Sequence, residues 1–414
     1  MSARAWSRRK FMAGAMTGLG AAGLAAAGGR SEALERPQAV GGQTGPAPRG
    51  EVITRTLGRT GLRIPVVNFG VMNADNPGLV RRAYELGMRL YDTAAYYMRG
   101  RNEAMVGSVL REMGVRDEVV IATKVFLPHP QRSIPASEVR DFYLKTAEES
   151  LRRLRTDHID ILHSHNVDNV EYLNHPGILE ALRLLKKQGK TRFIGFSTHM
   201  GMASCLDDAA RSGVYDVVLT TFNYSFHDYA ELGRAVEKAA GAGIGLMAMK
   251  TQCNTDWYER ELPEPLREHF RPPLMHSALL KWALGHGSIT CAVPGVTTFR
   301  QMEENAACLR DLEFTADERK FLEDRSVKLA METVCRRCGT CIGTCPRGAR
   351  IPDLLRAEMY AFHYGNLIQA RQTLDEVDAA RGIGACGDCG RCVAACANRV
   401  DIRGRLSRLR DVFA

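Results

Sequence analysis

Between Ile64 and Gly295 short apolar and β-branched runs recur at regular intervals, separated by longer amphipathic stretches. The runs are Ile64 to Val71, Met88 to Thr93, Val119 to Val125, His158 to His165, Arg192 to Thr198, Asp216 to Asn223, Gly243 to Lys250 and Ser288 to Gly295. The stretches between them, such as Arg140 to Arg155 and Gly177 to Gln188, have helical length. Eight strand-like runs alternating with helices predict an α/β chain closed into a (β/α)8 barrel. A doubly wound sheet is the alternative, and the absence of a G-x-G-x-x-G segment after an early strand counts against it. Ahead of the first run, Ile53 to Leu57, Gly58-Arg59-Thr60-Gly61 and Leu62 to Val66 read as a hairpin closing the barrel floor.

After the barrel the pattern changes from hydrophobic period to cysteine period. Cys335, Cys338, Cys341 and Cys345 are followed by Pro346, and the spacing returns in Cys386, Cys389, Cys392 and Cys396. This C-x-x-C-x-x-C-x-x-x-C run is that of bacterial 4Fe-4S ferredoxins, in which the fourth cysteine of each run serves the other cluster. Two 4Fe-4S clusters are therefore expected, one on Cys335, Cys338, Cys341 and Cys396, the other on Cys386, Cys389, Cys392 and Cys345. Zinc and a disulfide framework are the alternatives, and neither explains the repeat. The other cysteines, Cys205, Cys253, Cys291 and Cys308, are scattered singly and read as buried thiols.

The net charge of +9 raises the question of nucleic acid, but the excess sits in the N-terminal 50 residues and the cysteine-rich tail, with no basic stripe interleaved with aromatics. No nucleic-acid partner is expected. The tail arginines fit the negative charge of thiolate-bound clusters or a docking face for a redox partner protein. At the N-terminus Ser7-Arg8-Arg9-Lys10-Phe11-Met12 precedes a mildly apolar run from Ala13 to Ala27. This resembles a signal for the twin-arginine export machinery, cleaved near Ala25 to Ala27. The run is shorter than the roughly 20 apolar residues of a membrane span, so no stable span is expected after cleavage. Folded, cluster-loaded export suits eight thiols that an oxidising compartment would otherwise oxidise, and the expected location is the periplasm or cell envelope.

Barrel enzymes work at the C-terminal ends of their strands. There the second run ends in Asp92 with Tyr97 following, the third in Lys124, and the fourth in His163-Ser164-His165. Singly each has a structural reading; together they offer a phenol, an ammonium, a carboxylate and an imidazole suited to carbonyl reduction. Tyr97 would deliver the proton, with Lys124 lowering its pKa, Asp92 pairing with Lys124, and His165 orienting the carbonyl.

At these residues the chain, from about Val52 to Arg325, resembles the aldo-keto reductase family, and overall it is similar to members carrying a C-terminal iron-sulfur domain. Asp92, Tyr97, Lys124 and His165 match the catalytic tetrad; further matches are Gly189 to Ser197, Phe222-Asn223 and Pro294-Gly295 through Glu304-Asn305. The resemblance implies a TIM barrel, NAD(P)(H) as cofactor, a small carbonyl or alcohol substrate, and nucleotide contacts at Ser197, Thr198, Met249, Lys250, Gly295, Glu304 and Asn305. Met249 stands where many members stack an aromatic ring on the nicotinamide. Gly295-Val296 and Gln301 replace the Lys-Ser pair and Arg that hold the NADP 2′-phosphate, so NADP preference is weakened.

The expected organisation is an export signal over 1–28, a linker over 29–50, the barrel over 51–325 and a mainly helical ferredoxin-like domain over 326–414. The expected function is an exported oxidoreductase interconverting a carbonyl and an alcohol, with clusters exchanging electrons with a partner or cofactor. The alternatives are a reductase with purely structural clusters and an electron-transfer protein with a non-catalytic barrel. The stretch from Gln252 to Arg271, with Trp257, Tyr258 and Phe270, is a candidate pocket rim.

Overall fold

The computed structural model describes residues 50–252, 275–332, 334–386, 389 and 392–413. The expected export signal, most of the linker, Cys253 and nearly all of the Gln252 to Arg271 rim lie outside them. Each apolar run forms a strand. After a floor hairpin, β1 (Thr54–Thr56) and β2 (Arg63–Pro65), come β3 (Phe69–Gly70), β4 (Leu90–Asp92), β5 (Val120–Val125), β6 (Ile159–Val167), β7 (Thr191–Thr198), β8 (Val217–Thr221), β9 (Gly245–Met249) and β10 (Cys291–Ala292). Strands β3 to β10 pair in sequence order, every neighbour parallel. Parallel bridges Val67 to Ala292 and Gly70 to Gly295 join the two edges and close the barrel. Closure removes both sheet edges, which satisfies backbone groups that an open sheet leaves unpaired.

Helices follow the strands because the intervening segments carry their own start and stop signals. Pro77–Leu86 begins with Pro at its first position behind Asn76, whose side chain accepts from Gly78 N, and ends at Gly87 with φ 104°. Phe299–Ala307 opens with a reciprocal capping box between Thr298 and Gln301. The apolar faces pack outside the strands in one continuous layer, while Leu57, Ile64, Leu90, Ile161, Leu219 and Met247 fill the barrel interior. At the floor the hairpin lies so close to β9 that a Cβ on Gly58 would stand 2.3 Å from Gly245 N. No larger residue fits that approach.

The cysteine-rich region is in the same compact unit as the barrel, which runs from Pro46 to Ala414. Between the two cysteine runs lie helices joined by a wide turn. Ile351–Glu358 runs into a single π turn, Met359–His363, and the chain resumes helix at Leu367–Asp375. Tyr364 N donates to Met359 O at 3.1 Å to close the wide turn, a feature that often marks functional positions. A second, smaller apolar core joins Ile351, Leu354 and Leu355 to Leu406 and Leu409 of Ile402–Phe413. Among the described residues no helix is long and apolar enough to cross a membrane.

Candidate functional site

At the C-terminal end of β4, Asp92 turns the chain toward Tyr97. The segment beyond it is strained: Met98 and Arg99 have φ of 50° and 56°, the left-handed region that side chains disfavour. Asn102 holds it in place, its Nδ2 donating to Val71 O at 2.9 Å and its Oδ1 accepting from Thr93 Oγ1 at 2.6 Å. From β5, the buried Lys124 ammonium donates to Asp92 Oδ2 and to Thr93 O, each at 2.6 Å. Burial raises the Asp92 pKa and lowers that of Lys124, each partner offsetting part of the other's shift.

Lys124 Nζ sits 4.9 Å from the centroid of the Tyr97 ring, over its face. The Tyr97 and His165 rings meet edge to face with centroids 5.7 Å apart. The four side chains thus gather at one point of the barrel mouth. One electrostatic expectation is overturned. The Tyr97 pKa is not lowered but pushed well above its ordinary value, first by burial and then by Asp92 and Tyr360. Lys124 lies against the ring face, and the cation that does favour the phenolate is Arg356, which outweighs neither effect. His165 is held well below the ordinary histidine range by burial and by the nearby Lys124 and Arg356 charges, so its imidazole is neutral. His163, deeper in the barrel, is pushed down to about 3 by burial and does not line the mouth.

Above this centre opens a cleft of about 960 Å³. Asp92, Tyr97, His165, His199, Met249, Lys250, Gly295 and Gln301 line it from the barrel, and Arg356, Tyr360, Tyr364, Gln369 and Glu376 from the cysteine-rich region. Of the residues expected to contact nucleotide, Met249, Lys250 and Gly295 therefore border the cleft. The others do not. Ser197 Oγ accepts from Asn166 N at 2.9 Å, Thr198 Oγ1 donates to Met200 O at 3.0 Å, and Asn305 Oδ1 accepts from Gln252 Nε2 at 2.7 Å. Glu304 is exposed on Phe299–Ala307.

The second wall was missing from the sequence reading, and buried charges hold it. Arg356 donates to Glu376 at 2.5 Å, and Asp353 accepts from Arg337 at 2.6 Å and from Arg350 at 2.8 Å. Asp168, beyond β6, accepts from Arg132 at 2.7 Å and from Arg350 at 2.9 Å, tying the wall to the barrel. Asn366 Nδ2 donates to Asn73 Oδ1 at 3.0 Å across the same junction. Burial alone would raise the Asp353 pKa, but Arg337, Arg356 and Arg350 hold it well below the usual carboxylate range. For Glu376 burial prevails and its pKa rises. His199 also went unrecognised, although it follows a strand end by one residue, where Asp92 and His165 were sought. Its Nδ1 lies 3.0 Å from Thr221 Oγ1.

Behind the wall lie the cysteines. Cys335, Cys338, Cys341 and Cys396 line one cavity. The charge of Cys386 is felt with those of Cys392, Cys389 and Cys345. The fourth cysteine of each run thus stands with the first three of the other. Among the described residues no disulfide joins them, and no three side chains converge as a single ion requires. A cavity connects the two sites: His199, Lys250 and Arg356 line both it and the cleft, and Cys335 and Arg337 line its far side.

Comparison with known proteins agrees with this division. The Aldo/keto reductase family matches residues 71–263, and the 4Fe-4S dicluster domain matches residues 334–400. L-galactose dehydrogenase of Arabidopsis thaliana is 29% identical over 302 residues, covering 65% of this chain and 92% of the plant protein. The holo form of an aldo-keto reductase from Bacillus halodurans superposes with a TM-score of 0.54 at 22% identity, covering 67% of this chain and 100% of that one. An aldo-keto reductase from Klebsiella pneumoniae in complex with NADPH gives 0.50 at 22% identity, over 66% of this chain and 94% of that one. The chain carries an aldo/keto reductase domain followed by a 4Fe-4S dicluster domain, and it is an oxidoreductase acting on carbonyl or alcohol groups.

The cysteines fit iron–sulfur clusters. A cubane spreads its irons apart, so its thiolates surround a cavity instead of one point. Burial raises the Cys335 thiol, but the Arg337 backbone donates to it, and Arg337 Nε and Nη1 are buried without partners beside it. That is a setting for an anion. For a nicotinamide, Gly295 leaves room, since an added Cβ there would meet nothing nearer than 3.7 Å, and Met249 and Val296 give the cleft an apolar face.

Proposed function

We propose that this protein interconverts a carbonyl and an alcohol in the cleft, that it carries two 4Fe-4S clusters which exchange electrons with the cleft or with a partner protein, and that it acts after twin-arginine export to the periplasm or cell envelope. The observation that carries this reading is the shared wall: one layer of side chains, including Lys250, His199 and Arg356, borders both the reaction centre and the cavity reaching Cys335. Bound in the cleft, a nicotinamide such as the NADPH of the Klebsiella protein would supply hydride, and clusters on the eight cysteines would supply one-electron capacity.

The chain's own residues do the rest. Tyr97, kept protonated by burial, gives its proton to the oxygen of a carbonyl being reduced, and takes it back in the reverse direction. The neutral His165 hydrogen-bonds that oxygen and fixes the face presented to hydride. Lys124, anchored by Asp92, packs against the Tyr97 ring face and holds the ring in place, while Arg356 is the cation that favours the charge left when the proton departs. The wall excludes water from the centre.

The test is anaerobic purification with iron, sulfide and bound-nucleotide analysis, followed by titration with NADH, NADPH and dithionite. Two clusters correspond to about eight iron atoms per chain. Cluster reduction by either nucleotide supports electron exchange; clusters reduced by dithionite alone, with undiminished reductase turnover after bleaching, would make them structural. Export is tested separately, since Arg8→Lys with Arg9→Lys should abolish it.

A further inference from the structure

One cation of the shared wall stands apart. Among the described residues Arg132, Arg337, Arg350 and Arg356 share Asp168, Asp353 and Glu376. The four arginines all reach a carboxylate; Lys250, half-buried, does not. A cation drawn partly out of water without a carboxylate partner is costly, so Lys250 favours an anion from outside the protein fabric.

Arg337 lines the cavity of Cys335, Cys338, Cys341 and Cys396, where thiolates supply negative charge. Lys250 shares a neighbouring cavity with Cys335 and Arg337, and on its other side it borders the cleft with Tyr97 and His165. Its backbone is held at φ 56°, an unfavourable conformation kept where the side chain has a task. Across the cleft wall the ring of Tyr360 lies 5.3 Å from Nζ and brings no full charge. Burial, with Arg337 and Arg356 nearby, disfavours the Lys250 charge, and an arriving oxyanion would restore it.

We propose that Lys250 receives a carboxylate or phosphate group of the substrate, which is therefore an anionic carbonyl compound or the corresponding alcohol. This inference rests on the carbonyl–alcohol reading of the same cleft. A nucleotide pyrophosphate would offer the same oxyanion chemistry, and the experiment separates the two sources.

The holoenzyme is assayed with 4-carboxybenzaldehyde and its neutral counterpart methyl 4-formylbenzoate at saturating NADPH. A charge-assisted contact should favour the acid by about 10- to 100-fold in kcat/KM. Lys250→Gln should bring the acid-to-ester ratio close to one, and Lys250→Arg should restore most of it. Equal turnover of acid and ester by the unaltered enzyme overturns the inference. So does a ratio that survives Lys250→Gln while the KM for NADPH rises, which assigns the lysine to the nucleotide. Calorimetric binding of both compounds to the holoprotein stands apart from turnover. Preference for the acid, lost in Lys250→Gln, supports the subsite even if neither compound is reduced, an outcome that would sink only the carbonyl–alcohol reading. Equal affinities overturn the subsite.

Discussion

The barrel and the cysteine-rich region bury polar groups in different ways. Inside the barrel mouth one ion pair, Lys124 with Asp92, sits in an apolar structure whose core is continuous from β3 to the outer helices. In the cysteine-rich region a small apolar core is joined to the barrel through Asp168, Asp353, Glu376 and the arginines around them. The barrel therefore owes more of its stability to area removed from water. The other region has a smaller core and relies more on charges that must meet in one geometry. The reaction centre belongs to the first, and the wall facing it to the second.

The sharpest way to break that comparison is Tyr97→Phe. It should lower turnover of an aldehyde probe by about 10²- to 10⁴-fold while leaving iron content unchanged, and a simultaneous loss of iron would show that the two regions are not separable. Next is Arg356→Ala, which leaves Glu376 buried without its partner. An expected cost of about 3–5 kcal/mol should appear as early melting of the cysteine-rich region in calorimetry, with the barrel transition little moved. A single transition shifted down as a whole would mean the two halves unfold as one.

Acid should separate the regions more gently. His163 has a folded-state pKa of about 3, against about 6.5 in an unfolded chain. Between these values the unfolded chain takes up the proton and the folded barrel does not. Its stabilising contribution is therefore complete above pH 6.5 and falls by about 1.4 kcal/mol per pH unit on acidification toward 3. Asp353 is depressed in the folded state, so its contribution is complete above about pH 4 and is lost below that. Denaturation midpoints from pH 6 to 4.5 should thus show the barrel weakening while the wall holds, since Asp353 is unchanged there and Glu376, raised in the folded state, takes up its proton more readily folded than unfolded, and His163→Leu should flatten the barrel's slope by one histidine's share. Smallest of all is Arg371→Ala. Its pair with Asp375 is more than half exposed on both sides, and the melting shift should stay within about 0.5 kcal/mol.

Much of the barrel could be read from the sequence because its parallel strands are buried on both faces and stand out as nearly unbroken apolar runs. β6 is buried along its whole length. The tetrad side chains were legible for a related reason: strand ends are the places where a polar residue interrupts such a run. Arg350, Asp353, Arg356 and Glu358 had no comparable signal. Spaced two or three residues apart from Arg350 at the start of Ile351–Glu358 to its end, they look like the solvated face of an ordinary helix, and it is pairing with Asp168, Glu376, Arg405 and Arg408 that draws them inward. The direction of the Tyr97 shift was hidden too. Whether Lys124 meets the hydroxyl or the ring face depends on the turn through Met98 and Arg99, whose left-handed backbone no residue type there announces.

The interleaving of the cysteine runs also sets an order of construction. Cys396 stands with Cys335, Cys338 and Cys341, and Cys345 stands with the second run. The segment bearing Arg356, Tyr360 and Glu376 lies on the chain between the two. The set with Cys345 is complete only when Cys392 has been synthesised, and the set with Cys335 only when Cys396 has, so the clasp closes after both runs have been made. Until then the barrel has a floor, strands and a reaction centre but only half a cleft.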